Sequence, residues 1–505
     1  MYKNHFFTCS KICTLALTGA SALFLASCAK DGYDDESFDS GVSNTQVSSI
    51  SADDITITPS ADGKTQTFSW PVVMGAGGYR VNLVDMSNPA EPVINDSIVD
   101  GCSVTGKREE DTNYTLTVLP LGNSKKNNSN ASEATTKEFS TFTPTFKTIP
   151  AGSDLNEWFN QNPTPADSIG KNLNYDLEAG GSYTLSETLD FNVQAVTLRT
   201  NNKLNPATIN FTGEACITFA APFNMKYMNV DCSGQVISST NHGIFAFSKD
   251  PSAAPIGTDI NAKYKWTYPM IENPVTFVNS TFKNVKSYFF WDNQQTVCIM
   301  TMLIDNCVVQ LAPEKDFGGG VFWTNKGSDG LGSHINELYV TGSTFYELPD
   351  CAGDYKYFYQ AGMKRGEDIY ADKNAASNTV SYTNSTFYHV TWNGGQWGNY
   401  NGMAGRSYSV WTMTDCIFVD CSPSGVPRRF LHGKQNQAHV TFNNNTYMKA
   451  DGTFHDIKED GSHEYDTSGT CIEEDPLFAN PAAGDFTVGG ATQIARKTGD
   501  PRWLP

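Results

Sequence analysis

Three things are scarce in this 505-residue chain. The apolar run from Ile12 to Ala26 falls short of the roughly 20 residues that a membrane-spanning helix needs. Positive charge is limited: 35 Lys and Arg face 54 Asp and Glu, for a formal net charge of −19, which argues against a nucleic-acid partner. Twelve cysteines are present, yet no CxxC and no Cys/His grouping with zinc spacing occurs, so no metal site is expected. Amphipathic stretches long enough for a helical solenoid are missing as well.

What the chain does contain is a repeat. VTFVNSTFKNV from Val275, TMLIDNCVVQL from Thr301, LYVTGSTFYEL from Leu338, VSYTNSTFYHV from Val380, WTMTDCIFVDC from Trp411 and VTFNNNTYMKA from Val440 align without gaps. The fifth position reads Asn279, Asp305, Gly342, Asn384, Asp415 and Asn444, and a weaker copy from Met225 adds Asn229. Asn, Asp and Gly tolerate positive φ at low steric cost, so this column predicts a one-residue left-handed corner between two short strands. Apolar columns flank it: Phe277, Leu303, Val340, Tyr382, Met413 and Phe442 before, and Phe282, Val308, Phe345, Phe387, Phe418 and Tyr447 after. Corner residues recur 26 to 42 residues apart from Asn279 onward, too irregular for a propeller. A parallel β-helix tolerates that spread, because its coils stack while loops of any length leave from a corner.

A third strand per coil is expected on a phenylalanine column, Phe245, Phe290, Phe322, Phe358 and Phe430, with Trp397 as the substitute in the coil that lacks it. Strict alternation with this column inward turns its neighbours out, among them Trp291, Trp323, Tyr357, Tyr359 and Arg429. A row of rings rising by about 5 Å per coil suits the apolar face of a pyranose. Two readings stand: an open platform, or rings covered by the insertions after Leu348 and Val390. Those insertions add Trp392, Trp397 and Arg406 as binding candidates, since loops on a rigid scaffold usually carry binding. Arg428, Arg429 and Lys434 would suit the carboxylates of an acidic glycan. His432 with Lys434 and Arg428 is the best catalytic set; no adjacent aspartate pair accompanies it.

Four segments are expected: a leader over 1–28, an acidic tether over 29–49, a small β-sandwich over 50–145 and a capped β-helix over 146–505. The leader ends Leu25-Ala26-Ser27-Cys28, which resembles a bacterial lipobox and implies lipidation of Cys28. Within the sandwich, Trp70 and Tyr114 resemble the core tryptophan and corner tyrosine of a fibronectin type III module. Asp154, with Glu157 three residues on, predicts a capped helix able to cover the first coil. With Cys9 and Cys13 in the leader and Cys28 lipidated, an odd number of cysteines remains. Cys307 and Cys416 sit where other coils carry Ser or Thr, which favours stacked buried thiols over disulfides.

This organisation resembles the pectin-lyase-like proteins, and more closely a group of Bacteroidota surface lipoproteins made of leader, fibronectin-like module and right-handed parallel β-helix. The closer likeness rests on the lipobox, the NSTF-type strands around the Asn corner, and the endings DPLF from Asp475 and GDPRW from Gly499. It implies an all-β fold and an outer-membrane lipid anchor facing the cell exterior. It also implies polysaccharide binding in a glycan-utilisation system, with acidic glycans such as pectin favoured, beside glycan importers and degrading enzymes. A polysaccharide lyase or hydrolase is the alternative, and an adhesin or spacer the second. No cofactor is expected, Ca2+ being the ion that the lyase alternative would bring.

Overall fold

The computed structural model describes residues 41–238, 243–251, 269–315, 317–324, 333–348, 350–361, 377–399, 407–431, 439–454 and 465–505. Among them no helix is long and apolar enough to cross a membrane. The chain divides into two compact units between Thr143 and Pro144.

The first unit has two antiparallel sheets. One comprises Thr56–Pro59, Thr65–Ser69 and Ser103–Lys107; the other is ordered Ile94–Val99, Ala76–Asp85, Asn113–Gly122, Thr135–Ser140. Alternation along Asn113–Gly122 buries Tyr114, Leu116 and Val118. Trp70 meets Tyr79 edge to face in the same core, ring centroids 5.4 Å apart. The Tyr114 hydroxyl accepts a hydrogen bond from the Glu109 N–H at 2.8 Å, tying the chain just upstream to the start of that strand.

The second unit is a parallel β-helix. Its first sheet holds nine strands, from Ser182–Leu185 to Thr446–Met448; its second holds seven, from Thr188–Asp190 to Gln396–Asn399; its third holds eleven, from Lys147–Ile149 to His439–Asn443. Successive strands visit the third, first and second sheets in turn, and each pairs in parallel with its counterpart one coil on. At the corner between third and first sheets stand Tyr227, Asn279, Asn306, Gly342, Asn384, Asp415 and Asn444, with φ from 46° to 56°. Each corner amide through Asp415 donates to a carbonyl of the following coil, as Asn279 does to Asp305 at 3.0 Å and Asp415 to Asn443 at 2.8 Å.

Two members of the expected column are displaced. Val278 pairs with Asp305, so the corner falls on Asn306, and Lys226 pairs with Val278, so the earlier corner is Tyr227 rather than Asn229. The gapless alignment had shifted the Thr301 stretch by one residue. Ile304 and Val309, not Leu303 and Val308, therefore join the apolar columns. A tyrosine pays a steric penalty at positive φ; Tyr227 holds its place buried against the next coil.

The residue after the corner is small and buried: Ser280, Cys307, Ser343, Ser385, Cys416 and Asn445. These side chains satisfy one another's backbone, the Cys307 N–H donating to Ser343 Oγ at 3.0 Å and the Ser343 N–H to Ser385 Oγ at 3.2 Å. All nine cysteines of the described residues are free thiols.

The first coils and the outer face of the first sheet are each covered by another part of the chain. The helix Leu155–Gln161 starts at Asp154, whose carboxylate accepts the Glu157 N–H at 3.0 Å, and lays Phe159 on Tyr175 and Phe191 of the first coils. The C-terminal segment is a strap across the outer face of the first sheet. Gln493 Nε2 donates to Thr446 Oγ1, the Asp500 N–H to Thr386 Oγ1, Trp503 Nε1 to Thr344 Oγ1, and Arg502 reaches Asn306. The strap thus runs back over five coils. In the ending from Gly499, Asp500 caps the turn Pro501–Trp503 and accepts Thr344 Oγ1–H at 2.7 Å, so that motif is structural.

Candidate functional site

Strands of the second sheet depart from two-residue alternation. Phe289 and Phe290 are both buried in the core, as are Val321 with Phe322 and Phe358 with Tyr359. Tyr288, Trp291, Trp323 and Tyr357 flank these inward pairs and form a cluster of their own with Ala246 and Cys216. The pattern is out, in, in, out. Tyr288 stacks on Trp291 at 6.1 Å and 11°, meets Trp323 at 5.5 Å, and Trp323 meets Tyr357 at 6.4 Å, so four rings rise over three successive coils. Phe317 leans on Tyr288 from the side, and Lys356 Nζ sits 5.5 Å over the Tyr357 ring. Trp291 and Tyr357 are largely buried, while Tyr288 and Trp323 keep partial exposure. Burial pushes the Tyr288 hydroxyl up to about 12, with the nearby Asp292 adding to it, so this phenol stays a neutral hydrogen-bonding group.

Of the sequence candidates, then, Trp291, Trp323 and Tyr357 come together on one outer face. Tyr359 does not: it pairs with Phe322 in register and is fully buried, because the inward pair in its strand is Phe358-Tyr359. Trp397 is likewise interior, stacked on Phe358 at 4.5 Å and 6°, which makes it the rung of its coil and removes it as a surface ligand. Phe430 keeps its place in the core against Tyr382 and Trp411, yet the expected strand is the short helix Val426–Leu431, with Pro427 in its first turn where a missing N–H costs nothing. Arg428 and Arg429 therefore lie on a helix rather than on the strand platform. The Arg429 side chain, Cys28, Arg406, His432 and Lys434 lie outside the described residues.

Trp392 belongs to a different corner, one that sequence reasoning missed. It stacks on His389 at 4.4 Å and 14°, and His389 Nδ1 lies 2.5 Å from Asp420 Oδ2. Beneath lies Glu347, fully buried on the strand position paired with Leu311 of the preceding coil. Burial, and then the charge of Asp354, holds the Glu347 carboxyl well above its usual range. Burial also raises Asp354 to about 6, although its Oδ2 accepts the Asn393 N–H at 2.8 Å. An acid opposite an inward leucine was the available signal, visible only once the register of the Thr301 stretch is corrected. Among the described residues no group of three or more His, Cys, Asp or Glu side chains is arranged to hold a metal.

Residues 1–180, 181–348 and 363–503 match models of three domains of unknown function, DUF4992, DUF4957 and DUF5123. No curated protein matches the chain. Among solved structures, it is similar to the pectate lyase PelI from Erwinia chrysanthemi in complex with tetragalacturonic acid, at 12% identity over 70% of this chain and 88% of that one, TM-score 0.13. A family 28 exopolygalacturonase from Yersinia enterocolitica aligns at 10% identity over 78% and 85% of the two chains, TM-score 0.17. Superposition that loose carries no functional weight, and the β-helix assignment stands on the strand pairing itself.

Proposed function

We propose that this chain binds a polysaccharide along the outer face of its second sheet, as a lipid-anchored surface protein with a fibronectin type III-like module ahead of the β-helix. The observation that carries this reading is the row Tyr288, Trp291, Trp323 and Tyr357. Ring faces of this kind stack on the apolar side of pyranoses, and ammonium groups such as Lys356 suit the carboxylates of an acidic glycan, pectin being the favoured class. Outer-membrane anchoring through Cys28 would place that face among importers and degrading enzymes of a glycan-utilisation system. Affinity electrophoresis through gels containing pectin, hemicellulose or host glycans, run beside an assay for unsaturated products, is the test. Retardation without product supports binding; product formation would replace it with the lyase reading, and unchanged mobility throughout would leave a spacer.

A further inference from the structure

The outward columns of the second sheet change character along the helix axis. One coil before the aromatic row, Gly243 pairs with Tyr288 and Ala246 with Trp291. At its other end Trp323 pairs with Gln360, and one coil further Tyr357 pairs with Gln396 and Gln360 with Asn399. The row therefore has two unlike ends. At the first, a Cβ added to Gly243 would lie 3.2 Å from the Trp291 Cβ, so the ring packs close over bare backbone, and neither Gly243 nor Ala246 offers a polar side chain. At the second, the strand Gln396–Asn399 keeps Trp397 in the core and Gly398 buried, which leaves Gln396 and Asn399 half-buried on the outer face. Gln360 is nearly covered, and its Nε2 donates to the Ala361 carbonyl at 3.4 Å. Lys356 stands at the junction of rings and amides: its Nζ lies over Tyr357, and its carbonyl accepts the Gln396 N–H at 2.8 Å.

A pyranose lays its apolar face on a ring and keeps its hydroxyls at the edges, where an amide can both donate and accept. A sugar unit of an extended chain is about as long as the rise of one coil, roughly 5 Å. From Tyr288 to Gln396 the sheet climbs three such rises, about 14 Å. We infer that Gln396 and Asn399 form a hydrogen-bonding subsite at the end of the aromatic row. The face then takes about four consecutive units of a linear acidic glycan, with a uronate carboxylate beside Lys356. A symmetrical row of rings would accept a chain either way round. Rings with an ammonium and two amides at one end fix a single chain direction. This inference rests on the glycan reading above and adds to it a length, a direction and two residues outside the aromatic row.

The test uses the full chain in gels containing polygalacturonate, with galacturonate oligomers of defined length as competitors. Competition should strengthen roughly tenfold or more from two units to four, as further rings and then the amides are engaged, and by less than about twofold beyond four. Gln396→Ala and Asn399→Ala should each weaken the four-unit competitor by roughly threefold to tenfold, the contribution of one neutral hydrogen bond, and leave the two-unit competitor unchanged. Gln396→Glu, which keeps the shape and adds a negative charge, should weaken the four-unit oligomer further than Gln396→Ala does. Unaltered thermal unfolding shows that the variants are folded. Equal competition by two and four units, or variants that lose both lengths alike, overturns the inference while retardation by the polymer keeps the glycan reading. Absence of retardation by any polymer overturns both.

Discussion

Two outer faces of the same β-helix carry aromatic residues, and the C-terminal segment lies over one of them. On the first sheet Tyr346 and Tyr388 point away from the core and meet Phe486 at 5.0 and 5.4 Å, with Phe478 and Trp503 closing over them. On the second sheet Tyr288, Trp291, Trp323 and Tyr357 make a row packed with Cys216, Ala246 and Phe317. In the sequence the two faces look alike, since each puts Tyr or Trp beside the inward phenylalanines. An outward ring is therefore not by itself a binding surface. Among the described residues, the chain's own end covers the first face and does not reach the second.

The comparison can be broken at several points, beginning with the largest effect. Trp397→Ala, which empties a rung stacked on Phe358, should cost about 3–5 kcal/mol in denaturant unfolding; a near-neutral result would return Trp397 to the surface. Phe486→Ala should cost about 3 kcal/mol by uncovering Tyr346 and Tyr388, with no effect on glycan retention. If it raised retention instead, the strap would be a regulator of the first face rather than its permanent cover.

The interior of the third sheet supplies a contrast in pH. Burial holds the His334 imidazole at about 4, below its ordinary 6.5. The unfolded chain therefore takes up this proton first on acidification. The contribution to stability is complete above pH 6.5 and is lost as pH falls toward 4, about 3 kcal/mol in all. Comparing the pH dependence of unfolding in wild type and His334→Gln isolates it: the variant should lack that part of the acid slope.

Trp323→Ala should weaken glycan retention by about 1–3 kcal/mol while changing stability by less than about 1 kcal/mol, the reverse of Trp397→Ala. Smallest of all, Cys307→Ser should shift stability by under about 1 kcal/mol, because Ser343 and Ser385 already occupy the same column and make the bonds that a serine there would make.

The fold was legible because its defining constraint is a backbone one. Asn, Asp and Gly at the corner announce positive φ, and Asn279, Gly342, Asn384, Asp415 and Asn444 all stand where that constraint put them. Where two tolerant residues are adjacent, Asp305 and Asn306, the constraint has no preference and only the inward pattern of Ile304 and Val309 decides. Side-chain direction in the second sheet was less legible. A pair such as Phe358-Tyr359 is compatible with either register, and strict alternation chose the wrong one for Tyr359. Tertiary covering left no local signal at all: nothing near Tyr346 says that Phe486, far along the chain, will sit on it. The corner at Glu347 was hidden for the same reason, since Asp354, His389 and Asp420 become neighbours only when successive coils stack.

The most direct measurement is affinity electrophoresis of wild type, Trp323→Ala and Tyr346→Ala side by side in gels containing polygalacturonate. A face used for binding predicts retardation of the wild type, its loss or strong reduction in Trp323→Ala, and wild-type retardation for Tyr346→Ala, whose ring lies under the strap. Equal mobility of wild type and Trp323→Ala at every polymer concentration would contradict the account.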